Sequence, residues 1–121
     1  MQKRILVVTQ HFWPENFRIN DMVAGFVQDG VAVDVLCGLP NYPKGEWFDG
    51  YSENGPWEQT YQGAGVYRAK EIPRKGNTGL RIFLNYVSWP WYAAKELHRL
   101  PGGYDAVFCF NTSPVLMCWP A

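Results

Sequence analysis

The chain has 121 residues, 47% hydrophobic and 18% charged, the balance of one folded domain rather than of a disordered tail or a collagen-like repeat. Lys plus Arg and Asp plus Glu both number 11 and are interspersed, so the basic field that holds nucleic acid is missing and nucleic acid is not expected as a partner. Cys37, Cys109 and Cys118 lie in or beside apolar runs without CxxC spacing or a neighbouring His, the pattern of reduced thiols rather than of a zinc site or a disulfide framework.

The N-terminus is charged and then briefly apolar. The apolar run ends at Gln10 and His11, too soon for a signal-peptide core or a membrane span, which points to the cytoplasm. That run, Ile5 to Thr9, is rich in β-branched residues and predicts a strand covered on both faces, as in a parallel sheet. A helix is expected next. Asn20 or Asp21 can cap it, Ile19, Val23 and Phe26 recur along one face, and Gly30 stands where a terminal glycine belongs. Val31 to Cys37 reads as a second strand, which completes a βαβ unit with a right-handed crossover.

From Gly38 to Gly65 no period is visible. The segment nonetheless holds Tyr42, Trp47, Phe48, Tyr51, Trp57 and Tyr61, too many large rings for a solvated linker, and loops of this length in compact domains tend to be functional. Val66 to Ile72 alternates and predicts a third strand at an edge, and Ala106 to Phe110 is a fourth, buried one. Between them a helix is expected over Leu80 to Leu100, kinked or split at Pro90. Its apolar residues fall on two stripes. Leu80, Phe83, Leu84, Val87, Trp91 and Ala94 form the stripe expected to pack on the sheet. Ile82, Tyr86, Trp89, Ala93 and Leu100 form a second, left either for further protein or for peripheral contact with the cytoplasmic leaflet of a membrane. The fold class is therefore α/β, a Rossmann-like doubly wound parallel sheet. Because the last helix has only "VLMCWPA" in which to form, the chain reads as the truncated first half of a longer protein.

In such sheets ligands bind beyond the carboxyl ends of the strands. Three segments leave that edge: "QHFWPENFRIND" (Gln10 to Asp21), "GLPNYPKG" (Gly38 to Gly45) and "NTSP" (Asn111 to Pro114). Asn16, Asn41 and Asn111 supply planar bidentate groups for hydroxyls, and Trp13 and Tyr42 an apolar platform for the CH face of a sugar. Arg18 suits a phosphate, or equally a salt bridge to Glu15. Phe12 and Phe17 fit packing roles, and His11 has no partner carboxylate evident in the sequence. No dinucleotide fingerprint, P-loop, nucleophile elbow or metal-ligand cluster occurs. A polar ligand on a Rossmann-like half-domain is as far as these residues lead.

"ILVVTQHFWPENFRIND", followed by "GLPNYPKG" and "NTSP", resembles the N-terminal domain of bacterial retaining glycosyltransferases of family four, those that extend lipid-linked precursors of surface polysaccharides. The likeness spans nearly all of the chain. It implies an acceptor-side Rossmann-like domain over residues 1–121, incomplete, facing a C-terminal domain that binds the nucleotide sugar through a spaced pair of glutamates. That second domain is not in this chain. The partners implied are a nucleotide sugar, which is a substrate rather than a cofactor, and a saccharide or lipid-linked acceptor at the inner face of the cytoplasmic membrane. The residues carried over are Phe12 to Arg18, Asn41 and Tyr42, and no catalytic residue is assigned within the chain. A stand-alone, non-catalytic α/β module for a sugar or a phosphate is the alternative.

Overall fold

The β-branched run at the start forms β1 (Arg4–Val8), followed by α1 (Arg18–Gln28) and β2 (Ala32–Gly38), so the expected βαβ unit is present, its strands within one residue of their expected limits and its helix beginning three or four residues early. The structure, a computed structural model, describes residues 3–15, 17–40, 50–51, 55–70 and 79–110, and only the backbone at positions 81, 82, 85 and 86. Then come β3 (Glu58–Tyr61), β4 (Ala64–Ala69), α2 (Gly79–Lys95), a 3-10 turn (Leu97–Arg99) and β5 (Ala106–Cys109). The five strands make one sheet in the order β3-β4-β2-β1-β5. Four of them are parallel, and in chain order they lie third, second, first, fourth. This α/β order is compatible with a Rossmann-like sheet, and the direction of strand addition reverses between β1 and β5.

The sheet is mixed rather than wholly parallel, because β3 pairs antiparallel with β4. That hairpin falls inside the stretch expected to be loop. Tyr61 pairs with Ala64 across a two-residue turn in which Gln62 and Gly63 both have positive φ, the backbone a tight hairpin requires. Without an Asn-Gly or Asp-Gly pair and with a strand of only four residues, the signal was weak.

Side chains alternate between two cores. Val7, Val33, Val35, Cys37, Ala64 and Val66 face Ile19 and Val23 of α1, whereas Leu6, Val8, Leu36 and Ala69 face Trp89 and Ala93 of α2. One layer of helix therefore covers each face. α1 begins at Arg18 with Phe17 as an N-cap that makes no side-chain bond, not at a cap formed by Asn20 or Asp21. Asn20 instead lies in the first turn and donates to the Glu15 carbonyl at 2.7 Å, spending its amide on the preceding loop. Cys37 is a buried thiol, as expected, but Cys109 is disulfide-bonded, against the expectation of reduced thiols throughout.

α2 contradicts the sequence reading most directly. It runs through Pro90 as one α-helix and ends at Lys95. Most of the stripe expected against the sheet faces outward: Leu80 is 69% exposed, Phe83 60% and Trp91 54%, with Val87 exposed between them, while Leu84 and Ala94 are half-buried. Trp89 and Ala93, placed on the second stripe, are fully buried against the sheet, and Leu100 packs beside them. Ile82 and Tyr86 have side chains outside the described residues. The inversion has a steric reason. Ser88, Pro90 and Ala93 surround Trp89 with small or compact groups, all buried, so the helix can approach closely enough for the indole to fill the space above Leu6, Val8 and Leu36. Among the described residues no helix is long and apolar enough to cross a membrane.

At the amino edge, Tyr104 donates to Asp34 at 2.7 Å and Arg4 lies 3.6 Å from the same carboxylate. Gly65, opposite Asp34 in the ladder, leaves room for that carboxylate, since a Cβ there would stand 2.6 Å from Asp34 Oδ1.

Two measurements check this packing. In urea unfolding, Trp89→Ala should cost about 3–5 kcal/mol, while Phe83→Ala should stay within about 0.5 kcal/mol of the parent; the opposite ranking would put the wrong face of α2 on the sheet. Burial and the bond to Asp34 push the Tyr104 phenol above its ordinary 10.0. A raised folded-state pKa gives a contribution complete below the unfolded value and lost as pH climbs past it, so stability should decline above about pH 10, less steeply in Tyr104→Phe.

Candidate functional site

Parallel strands deliver their carboxyl ends to one edge, and three of those ends are stitched together here. The Thr9 amide donates to Leu36 O at 3.0 Å, the Gly38 amide to Gln10 O at 2.8 Å and the Phe110 amide to Val8 O at 3.0 Å. The chain therefore leaves β1, β2 and β5 side by side, next to the place where the winding reverses, which is where open α/β sheets bind ligands.

The loop after β1 is folded back on itself rather than extended. Thr9 Oγ1 donates to the His11 carbonyl at 2.9 Å, and the Glu15 amide to Phe12 O at 3.0 Å. Phe12 is fully buried, its ring edge-on to Tyr61 at 5.3 Å, so its packing role is as expected. His11 has the partner that its sequence did not reveal: Nδ1 lies 3.3 Å from Glu15 Oε1, with both residues buried and the imidazole stacked on Phe17 at 5.1 Å. Glu15 thus pairs with His11 and not with Arg18. The spacing of four residues was the available clue, but in a loop it has no fixed geometry.

Arg68 of β4 closes the arrangement. Its side chain is fully buried on the α1 face. Nη2 donates to the Trp13 carbonyl at 2.6 Å, Nη1 to the Gly38 carbonyl at 2.7 Å and to Cys37 Sγ at 3.5 Å, and Nε to Gln59 Oε1 at 2.9 Å. The Tyr51 ring lies 5.2 Å from the guanidinium carbon. Among the described residues no carboxylate pairs with it. Burying a guanidinium is costly unless its donors are satisfied, and here backbone carbonyls of two different exit loops, together with a β3 amide, do so. One residue thereby joins the β1 loop, the end of β2 and the β3–β4 hairpin. Strand parity was the sign to look for: Ala64, Val66 and Arg68 share a face, and the first two are core residues.

Of the six residues expected from sequence to bind a ligand, two, Trp13 and Arg18, are described. Trp13 is half-buried in the β1 loop, its ring 5.3 Å from Tyr61 at a tilt of 33°, so part of the indole packs on the core and part remains available. Arg18 is exposed at the first position of α1, where the helix dipole favours an anion. The structure brings these two into one loop and helix start. Asn16, Asn41, Tyr42 and Asn111 lie outside the described residues.

No protein-family model, curated protein or solved structure shows significant similarity to the chain.

The role given to Arg68 is open to direct measurement. Arg68→Met keeps the side-chain length and removes every donor, leaving the Trp13 and Gly38 carbonyls without their partner. It should cost about 3 kcal/mol in a denaturant melt and speed tryptic cleavage after Arg18. An unchanged midpoint and an unchanged cleavage rate would show that the loop holds its shape without it.

Proposed function

We propose that the chain is the acceptor-binding first half of a retaining glycosyltransferase, one that moves a sugar from a nucleotide sugar to a lipid-linked saccharide in cell-surface polysaccharide biosynthesis. The observation that carries this reading is the location of the motif-bearing stretch Phe12 to Arg18. It leaves the carboxyl end of β1 beside the reversal point and is tied to the neighbouring exit by Arg68. A loop made only to connect a strand to a helix needs two to six residues and no such anchoring. This one offers the remaining face of the Trp13 indole and, five residues on, the exposed guanidinium of Arg18 at a helix start. An apolar ring face and a cation suit the CH face and the phosphate of a glycosylated lipid diphosphate.

Under this reading the chain contributes position rather than chemistry. Holding the acceptor in a fixed pose against a donor bound by a second domain converts a bimolecular encounter into a local one. Stabilisation of the departing diphosphate is the task of the donor-binding half. The chain alone should neither hydrolyse nor transfer from a nucleotide sugar.

Calorimetry separates the two sides. A detergent-solubilised lipid-diphosphate-linked monosaccharide should bind the chain, and Arg18→Ala should weaken binding about tenfold, equivalent to about 1.4 kcal/mol. UDP-sugars and GDP-sugars should bind weakly or not at all. Submicromolar binding of either nucleotide sugar would sink the division of labour, and an Arg18→Ala variant with undiminished acceptor affinity would remove the anion role.

A further inference from the structure

A hollow lies between the carboxyl end of β4 and the last turn of α2. It encloses about 550 Å³, a volume suited to a small molecule, and is lined in part by Trp57, Lys70, Tyr92, Lys95, Glu96 and Arg99. Among the described residues, none of the β1 loop lines it. Two of its rings are held in place. Trp57 and Tyr92 are both half-buried, and the Trp57 carbonyl accepts from the Arg68 amide at 2.7 Å, which fixes that residue beside the end of β4. Gly55 makes room for the indole: its φ is +109°, and a Cβ there would stand 3.2 Å from Trp57 Cδ1. Tyr92 packs on the core beneath α2.

The charge of the hollow is positive. Lys70, Lys95 and Arg99 stand against one carboxylate, and that carboxylate, Glu96, is held by Arg99 at 2.7 Å. Arg99 also donates to the Arg68 carbonyl. Lys70 and Lys95, both exposed, have no carboxylate partner among the described residues. Each ammonium instead lies over an aromatic ring, Lys70 over Tyr92 at 5.7 Å and Lys95 over Trp91 at 4.9 Å. A ring face holds an exposed cation only weakly. It sets where the charge stands without cancelling it, and the ammonium keeps donors for an anion.

We propose that this hollow binds a soluble saccharide carrying a negative charge, with Lys70 and Lys95 on the anionic group and the rings of Trp57 and Tyr92 against the CH faces of the sugar. Three features of the lining select this ligand. The two uncompensated ammonium groups call for an anion, and they suit a carboxylate or a phosphate as point charges. The rings would be wasted on an inorganic anion but give a pyranose its apolar platform. Glu96 completes the set: Arg99 cancels its charge without using all of its acceptor positions, and an acceptor inside a cationic hollow serves hydroxyl groups. The inference is independent of the glycosyl-transfer reading. Neither Trp13 nor Arg18 lines the hollow, and no lipid, nucleotide sugar or transfer step enters its test.

The experiment is an NMR titration of the isotopically labelled chain with a disaccharide of glucuronate and glucose and with a hexose phosphate, against cellobiose as the uncharged sugar and inorganic phosphate as the anion without a ring. At least one charged sugar should move the amide signals of Lys70, Tyr92 and Lys95 and the indole signal of Trp57 to saturation, and added salt should weaken the binding. The tighter of the two shows whether the lysines take a carboxylate or a phosphate, and either ranking supports the proposal. Cellobiose and inorganic phosphate should each bind about tenfold more weakly or worse. Lys70→Gln and Lys95→Gln, both at exposed positions, should each lower the affinity about fivefold with an unchanged urea midpoint. Trp57→Ala should weaken the charged sugar but not inorganic phosphate; if it also lowers the urea midpoint, the lysine variants carry the test. Overturning results are an absence of shifts at these residues with millimolar charged sugar, cellobiose or inorganic phosphate binding as tightly as the charged sugars, or lysine variants that bind as the parent does. Uridine monophosphate binding more tightly than both charged sugars would give the hollow to a nucleotide and equally overturn the proposal.

Discussion

A single buried guanidinium holds the candidate site in shape. Arg68 donates to one carbonyl in the loop after β1, another at the end of β2 and a side-chain amide on β3, so three segments far apart in sequence share one donor group. Because those bonds form out of water, they are strong individually and costly to leave unmade, which makes the arrangement close to all-or-none. The β1 loop has its own short-range bonds, from Thr9 to His11 and from Glu15 to Phe12, but these only curl it. Arg68 attaches the curl to the sheet.

The β3–β4 hairpin has its purpose in the same bond set. By pairing antiparallel with β4 it supplies Gln59 to Arg68 Nε, and it places Tyr61 against both Phe12 and Trp13. The antiparallel edge strand thus shapes the loop at the carboxyl end of β1 although β1 lies three places away in the sheet. Rigid support of this kind is what a loop needs if it is to present Trp13 and Arg18 at a reproducible distance from each other. The buried pair His11 and Glu15 stiffens the same turn from within.

The two helices show how burial is divided. α1 has one apolar face and it packs on the sheet, so its sequence leaves one solution. α2 has two, and the sheet can cover only one of them. Trp89 wins the inner position because small neighbours let its ring reach the strands, and the cost is a row of large apolar residues left outside.

Sequence alone determined the βαβ start, the existence of a fourth parallel strand, the α/β class and the role of Phe12 in packing, because apolar strands and an amphipathic helix with a single apolar face each leave a pattern readable over a few neighbouring residues. The burial expected of that fourth strand is not found, since β5 is an edge strand with Val107 and Phe108 exposed. Of the candidate site, the loop after β1 was visible as a stretch too rich in rings and charges for a connection, and Trp13 and Arg18 were named in it. Tertiary structure decided the rest. The partner of His11 lay four residues away in a loop with no periodic geometry; the hairpin lacked a strong turn pair; the strand of Arg68, expected at an edge, lies inside the sheet between β3 and β2, and the acceptors of Arg68 on Gln59, Gly38 and Trp13 come from three separate segments. The face of α2 was undecidable for the same reason. Periodicity reports that a side chain is apolar and where it points around its own helix, but which of two apolar faces is buried depends on the shape of the surface it meets, and that surface is assembled from strands distant along the chain.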